Sequence, residues 1–259
     1  MTQTLLLIDD DEISREVLAL LLTPLLARLG VEMRLAADGE AALALLSEAS
    51  AAPDAILLDA QLPGLSGVAL VAALRRRVAA PILLFSASPV APELAEAADG
   101  FLLKPAAPEV ILAALQAARA ANASKASVPA RAVSAPAANA ADCVVLPVID
   151  SAVLAKFRLP AAALRSMYEA LAEDCLRRMA TLPSAIEARD AEAVRSTAHA
   201  IKGGCAMLGA AAMREAAAWL ESVSQPADWP RDFAALEAAF SALRARLDDP
   251  AFDFAAPSG

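Results

Sequence analysis

Residues 53–67 read Pro53-Asp54-Ala55-Ile56-Leu57-Leu58-Asp59-Ala60-Gln61-Leu62-Pro63-Gly64-Leu65-Ser66-Gly67. A short aliphatic run, Ala55–Leu58, ends abruptly in a carboxylate, and a Pro/Gly/Ser turn then leads into an apolar run with helical spacing. A strand that is apolar at every position needs cover on both faces, as in a parallel sheet between two helix layers. The pattern recurs on either side. Leu5–Ile8 runs into Asp9-Asp10-Asp11, Glu32–Ala36 follows, Ile82–Phe85 ends in Ser86, and Phe101–Leu103 ends in Lys104-Pro105. Helical patterns fill the gaps at Ile13–Leu29, Gly39–Ala49, Gly67–Arg77, Pro92–Ala98 and Pro108–Ala121. Five such units predict a doubly wound α/β domain with a five-stranded parallel sheet over residues 1–120.

The composition changes at residues 121–147, where small residues with scattered Pro and Ser carry no apolar periodicity and read as a linker. Beyond it, Ala/Leu-rich segments at 161–182, 190–208, 210–223 and 231–247 are separated by Pro, Gly or Asp. These predict an all-α four-helix bundle over residues 148–250, with 251–259 as a tail. Pro24 and Pro183 fall inside helical segments, where a kink or break is expected.

Hydrophobic residues make up 58% of the 259 and aromatics 4%, so the apolar content is aliphatic and ample for two cores. The net charge is −9; residues 1–120 hold 8 Lys/Arg against 15 Asp/Glu and residues 148–259 hold 12 against 15. An acidic surface repels phosphate backbones, so nucleic acid is not an expected partner. No apolar window is long enough for membrane insertion, and Met-Thr-Gln-Thr lacks the basic segment of a signal peptide. Three cysteines, Cys143, Cys175 and Cys205, have no CxxC spacing; they fit a reducing, cytoplasmic setting, with Cys175 and Cys205 at core positions.

In an open parallel sheet, ligands sit at the carboxyl ends of the strands. Asp9, Asp10, Asp59, Ser86 and Lys104 all stand there. Three carboxylates on one rim repel one another unless a cation joins them, and hard oxygen ligands with room for water suit Mg²⁺. A lysine and a hydroxyl converging on the same point supply what a phosphoryl group needs, charge neutralisation and a hydrogen bond.

These motifs, in this order, resemble receiver domains of two-component response regulators over about residues 4–120, a flavodoxin-like fold. The resemblance implies that Asp59 is the phosphoacceptor and that Asp10, Asp59 and the backbone carbonyl of Gln61 bind Mg²⁺, with Asp9 acting largely through water. It further implies that Ser86 and Lys104 hold the phosphoryl oxygens and that the Lys104–Pro105 peptide is cis. Three departures stand out against that pattern. The first helix is about one turn longer, the fourth is about one turn shorter, and Phe101 stands where a switch aromatic is usually Tyr.

His199 is the single histidine, in Ser196-Thr197-Ala198-His199-Ala200-Ile201-Lys202-Gly203-Gly204. On a helix, Lys202 and Gly203 flank its ring. Two glycines in a chain that uses alanine almost everywhere else cost about 1 kcal/mol each in a helix interior. They leave a flat approach for another protein, and Lys202 adds a positive charge suited to a phosphoryl group. Together with Leu208-Gly209-Ala210 and Trp219-Leu220-Glu221, this run resembles a histidine phosphotransfer (HPt) domain. The resemblance implies that His199 carries phosphate, Lys202 stabilises it and Gly203 gives access.

An aspartate acceptor and a histidine carrier in one chain imply a phosphorelay protein, with a sensor histidine kinase upstream and a response-regulator receiver downstream. With no Gly-rich ATP site, the chain is expected to transfer phosphate rather than take it from ATP. Two alternatives are a phosphate sink that drains a pathway by reverse transfer, and a phosphorylation-independent docking module.

Overall fold

The computed structural model describes residues 3–48, 52–62, 64–123, 147–157, 159–222, 225–252 and 254. The chain divides into two compact units, Met1–Asn139 and Ala140–Gly259. Residues 124–146, most of the segment read as a linker, lie outside the described residues, as does Cys143.

The first unit alternates strand and helix as the sequence predicts. Its elements are β1 (Gln3–Ile8), α1 (Glu12–Arg28), β2 (Val31–Ala36), α2 (Gly39–Glu48), β3 (Ala55–Asp59), α3 (Gly67–Arg75), β4 (Ile82–Ser86), α4 (Pro92–Ala97), β5 (Gly100–Leu103) and α5 (Pro108–Ala123). All strand pairs are parallel and the sheet order is β2-β1-β3-β4-β5, a doubly wound sheet. Parallel neighbours need long crossovers, and the helices supply them. Leu5–Ile8 are all at most 2% exposed, because side chains alternate and both faces are covered. Leu6, Ile8, Ile56, Leu58, Ile82 and Leu84 share one core with Leu70 and Leu74 of α3.

α1 runs unbroken through Pro24 for 17 residues. α4 has only six, the stunted helix that the spacing predicts. Its end is tied down by Arg75 of α3, which ion-pairs with Asp99 and donates to the Ala97 carbonyl, while Asp99 also accepts the Ile82 N–H at 2.8 Å. α5 continues to Ala123, three residues into the segment read as linker.

The second unit is helical: α6 (Ser151–Phe157), α7 (Ala161–Met179), α8 (Leu182–Glu187), α9 (Ala191–Leu208), α10 (Ala211–Ser222) and α11 (Trp229–Asp248). The break expected at Pro183 is present, and one further helix was not foreseen. The helix expected over 161–182 stops at Met179, and Pro183 lies in the first turn of α8, where its missing N–H costs nothing. α6 has no counterpart in the sequence reading. It is held by Val153, Leu154 and Phe157, which are buried, and by the Asp150 N–H on the Gly209 carbonyl at 2.8 Å.

Cys175 and Cys205 are fully buried core residues with sulfurs 4.0 Å apart. Within the stretch read as a tail, Phe254 is buried, its ring 5.6 Å from Tyr168, whose hydroxyl donates to the Leu208 carbonyl.

Candidate functional site

β1 and β3 are neighbours at the point where the strand order reverses, so the residues after them share one rim. Carboxylate oxygens of Asp9, Asp10 and Asp59 lie there within 4.8 Å of one another. Lys104, following β5, reaches across the sheet end: its Nζ donates to Asp9 Oδ2 and to Asp59 Oδ2, both at 2.6 Å, and lies 5.5 Å from the centre of the Phe85 ring. The Lys104–Pro105 peptide is cis.

Asp59 Oδ1 accepts the Gln61 N–H at 2.8 Å. Ser86 is buried at the end of β4; its carbonyl accepts the Lys104 N–H at 2.8 Å and its Oγ accepts the Ser88 N–H at 3.3 Å. The Ser88 hydroxyl faces Gln61 Oε1 at 3.5 Å across the mouth of the site.

Burial pushes the Asp59 carboxyl up and the Lys104 ammonium pulls it down, while the neighbouring Asp9 adds to the rise; the outcome is a pKa of about 6. For Lys104, burial works against the charge, yet the attraction of Asp9 and Asp59 outweighs it and raises the ammonium above its ordinary value. The result is a proton-tight lysine beside a carboxylate that is ionised at neutral pH at some cost.

Asp9 accepts three protein donors: the Asp11 N–H on Oδ1 at 3.0 Å, and Lys104 Nζ and Ser14 Oγ, both at 2.6 Å, on Oδ2. Asp11 serves as the N-cap of α1, accepting the Ser14 N–H at 3.0 Å. Hence the third aspartate caps a helix, whereas the first two belong to the acidic cluster. The donor set suits a hard divalent cation, with carboxylate oxygens converging and one lysine balancing part of their charge.

The second unit presents His199 on α9. Asp190 caps the start of this helix, accepting from the Glu192 and Ala193 N–H groups at 3.1 and 3.0 Å. Gly209, at φ +72°, ends it, so Gly203 and Gly204 lie inside a continuing helix. Gly203 itself is buried, yet a Cβ built on it would meet no atom within 4 Å, so a methyl group has room there beside His199.

The His199 side chain is 21% exposed, and its Nδ1 lies 2.8 Å from Oε1 of Glu221 on α10. Lys202 Nζ lies 2.6 Å from the other oxygen of the same carboxylate, Oε2. Burial alone would raise the Glu221 carboxyl; the hydrogen bonds from His199 and Lys202 outweigh it and hold the carboxyl below its ordinary value. An ionised Glu221 favours the tautomer with the proton on Nδ1, which leaves a lone pair on Nε2. The sequence reading placed Lys202 beside His199 but missed Glu221 as their shared partner. It also missed Ser14 and Arg15, whose guanidinium holds the Asp9 carbonyl at 2.6 Å.

Comparison with known proteins agrees with this division. Residues 5–116 match the response regulator receiver domain and residues 163–246 match the Hpt domain. The transcriptional regulatory protein AfsQ1 of Streptomyces coelicolor is 38% identical over 118 residues, 44% of this chain and 50% of that protein. The DNA-binding response regulator MtrA of Mycobacterium tuberculosis is 33% identical over 121 residues, 45% of this chain and 50% of that one. The chain thus spans about half the length of these curated relatives.

Among solved structures, the signal receiver domain of an HD domain-containing protein from Pseudomonas fluorescens is 27% identical, with 48% of this chain and 99% of that one covered at a TM-score of 0.42. The N-terminal domain of a response regulator/sensory box/GGDEF protein from Carboxydothermus hydrogenoformans is 24% identical, covering 48% and 100%, also at 0.42. The chain therefore joins a response regulator receiver domain to an Hpt domain. Both matched domains are signalling modules of two-component phosphorelays. No described helix is long and apolar enough to cross a membrane.

Proposed function

We propose that Asp59 accepts a phosphoryl group from a phosphohistidine of a sensor kinase, and that His199 carries phosphate or exchanges it with a receiver aspartate. The observation that carries this reading is the bridge of Lys104 between Asp9 and Asp59 at the rim of the sheet. It places a fixed positive charge against the oxygen that becomes nucleophilic. In the forward step an Asp59 oxygen attacks phosphorus and the P–N bond to the donor imidazole breaks. The ring nitrogen keeps that electron pair, and because the other ring nitrogen of the donor carries a proton, the imidazole leaves neutral.

Asp10, Asp59 and the Gln61 carbonyl would hold Mg²⁺ directly, and Asp9 through water, since its oxygens already serve three protein donors. The cation, when bound, neutralises charge on the phosphoryl oxygens. Ser86 and Lys104 supply a hydrogen bond and a charge to the same oxygens. At the second station Nε2 of His199 is the nucleophile, Glu221 orients the ring and Lys202 holds Glu221. Gly203 leaves the approach clear.

In this reading the receiver domain, expected over 1–120, takes in α5 to Ala123, the rest of 121–147 is the linker, and the HPt bundle covers 148–250, working in the cytoplasm. Single-turnover transfer from a radiolabelled phospho-kinase tests the assignment. Wild type should take label, and Asp59→Asn should take none from the kinase. His199→Gln should label on aspartate alone. Label on Asp59→Asn equal to wild type would overturn the proposed order.

A further inference from the structure

Ser14 lies in the first turn of α1 and is fully buried. Its N–H is used by the Asp11 cap. Its hydroxyl turns toward the strand ends, donating to Asp9 Oδ2 at 2.6 Å and accepting from Lys104 Nζ at 3.1 Å. Burying a hydroxyl costs free energy unless it is paired, and a neutral small residue would fill a first-turn position more cheaply. Here both its donor and an acceptor lone pair are spent on charged groups of the acidic rim.

The ammonium of Lys104 has three hydrogens and three acceptors within reach: Asp9 Oδ2, Asp59 Oδ2 and Ser14 Oγ. Two of these are fixed points away from the reacting oxygen. With Asp9 alone the head of a flexible four-carbon stem would be free to pivot. With Ser14 as a second anchor, the remaining N–H has one direction left, toward Asp59.

Resting on the reading of Asp59 as phosphoacceptor, we propose that Ser14 is a positioning residue that aims Lys104 at the phosphoryl group. With acetyl phosphate as donor, an Asp59 oxygen attacks phosphorus, the P–O bond to the acetyl group breaks, and acetate leaves with that electron pair. Acetate carries away one negative charge, and the phosphoryl oxygens bring their own negative charge to the place where the Asp59 carboxylate charge had been. Lys104 redirects one N–H from Asp59 Oδ2 to one of them, turning about the two anchors provided by Asp9 and Ser14.

The test uses the full chain with Mg²⁺ and [³²P]acetyl phosphate, reading the initial rate of alkali-labile label. Ser14→Ala should slow labelling by about tenfold, the size of one hydrogen bond to a charged group. Ser14→Cys, of nearly the native size but a weak donor, should also be slow, and Ser14→Thr, which keeps the hydroxyl, should recover most of the rate. In a Lys104→Met background, Ser14→Ala should add nothing, because its effect passes through the lysine. Ser14→Ala and Ser14→Cys at the wild-type rate, or the same loss with and without Lys104, would overturn the inference. If wild type takes no label, or Asp59→Asn takes as much, it is the phosphoacceptor reading that fails.

Discussion

Asp59 has to be ionised to act as a nucleophile, yet it is buried beside a second carboxylate. Its pKa of about 6, against an ordinary 3.8, expresses that conflict. Between those two values the unfolded chain gives up a proton that the folded chain keeps, so the contribution of Asp59 to stability falls as pH rises through this window. Replacing it with the isosteric neutral amide should therefore stabilise the receiver domain at pH 7.5 in chelator, by about 3 kcal/mol. The gain should vanish toward pH 4. Hydrogen exchange of the β1 and β3 amides in Asp59→Asn and wild type reads this difference.

At the scale of elements, α9 carries the second station, and its glycines have opposite roles. Nothing lies within 4 Å of a Cβ on Gly203, so Gly203→Ala should stabilise the helix by about 1 kcal/mol in thermal or urea unfolding. The added methyl should slow transfer to or from a receiver, because it stands beside His199. Gly209 is the reverse case: its φ is +72° and a Cβ would lie 2.7 Å from that of Val153 in α6. Gly209→Ala should destabilise the bundle by more than about 1 kcal/mol.

Glu221 joins α9 to α10 through His199 and Lys202. Glu221→Gln keeps an acceptor for Nδ1 but removes the charge that makes the ring more nucleophilic and leaves Lys202 without its counter-ion. We expect labelling of His199 by phosphoramidate to slow by about tenfold, the scale of one charge-assisted hydrogen bond. An unchanged rate would assign Glu221 a purely structural role.

At the scale of the whole molecule, the architecture was legible where the signal is local. An aliphatic run that stops at Asp9, Asp59, Ser86 or Lys104 announces both a buried strand and what stands at its end, and all five strands lie where those runs predict. His199 was legible because His199, Lys202 and Gly203 are followed by Leu208-Gly209-Ala210 in the pattern that resembles an HPt domain; the lone histidine and the two glycines alone would also suit a surface residue near a helix end. Ser14 and Glu221 were not, since a serine in a first turn or a glutamate on an amphipathic helix is ordinary until packing shows what it faces. α6 escaped for a related reason: seven residues with three buried positions are too few for periodicity to speak, and tertiary contacts hold the helix. The division of α7 from α8 at Ala180 and Thr181 was foreshadowed only by Pro183.

The two domains together amount to one claim, that a single chain offers both an aspartate and a histidine to the phosphoryl group. The chemical lability of the two bonds separates them, since acyl phosphates are lost in alkali and phosphohistidine in acid. The full chain should be incubated with [³²P]phosphoramidate and Mg²⁺ and its label sorted by lability and by peptide mapping. The account predicts alkali-labile label at Asp59 and acid-labile label at His199, each abolished by its own substitution. Label confined to one class, or placed on other residues and indifferent to both substitutions, would contradict it.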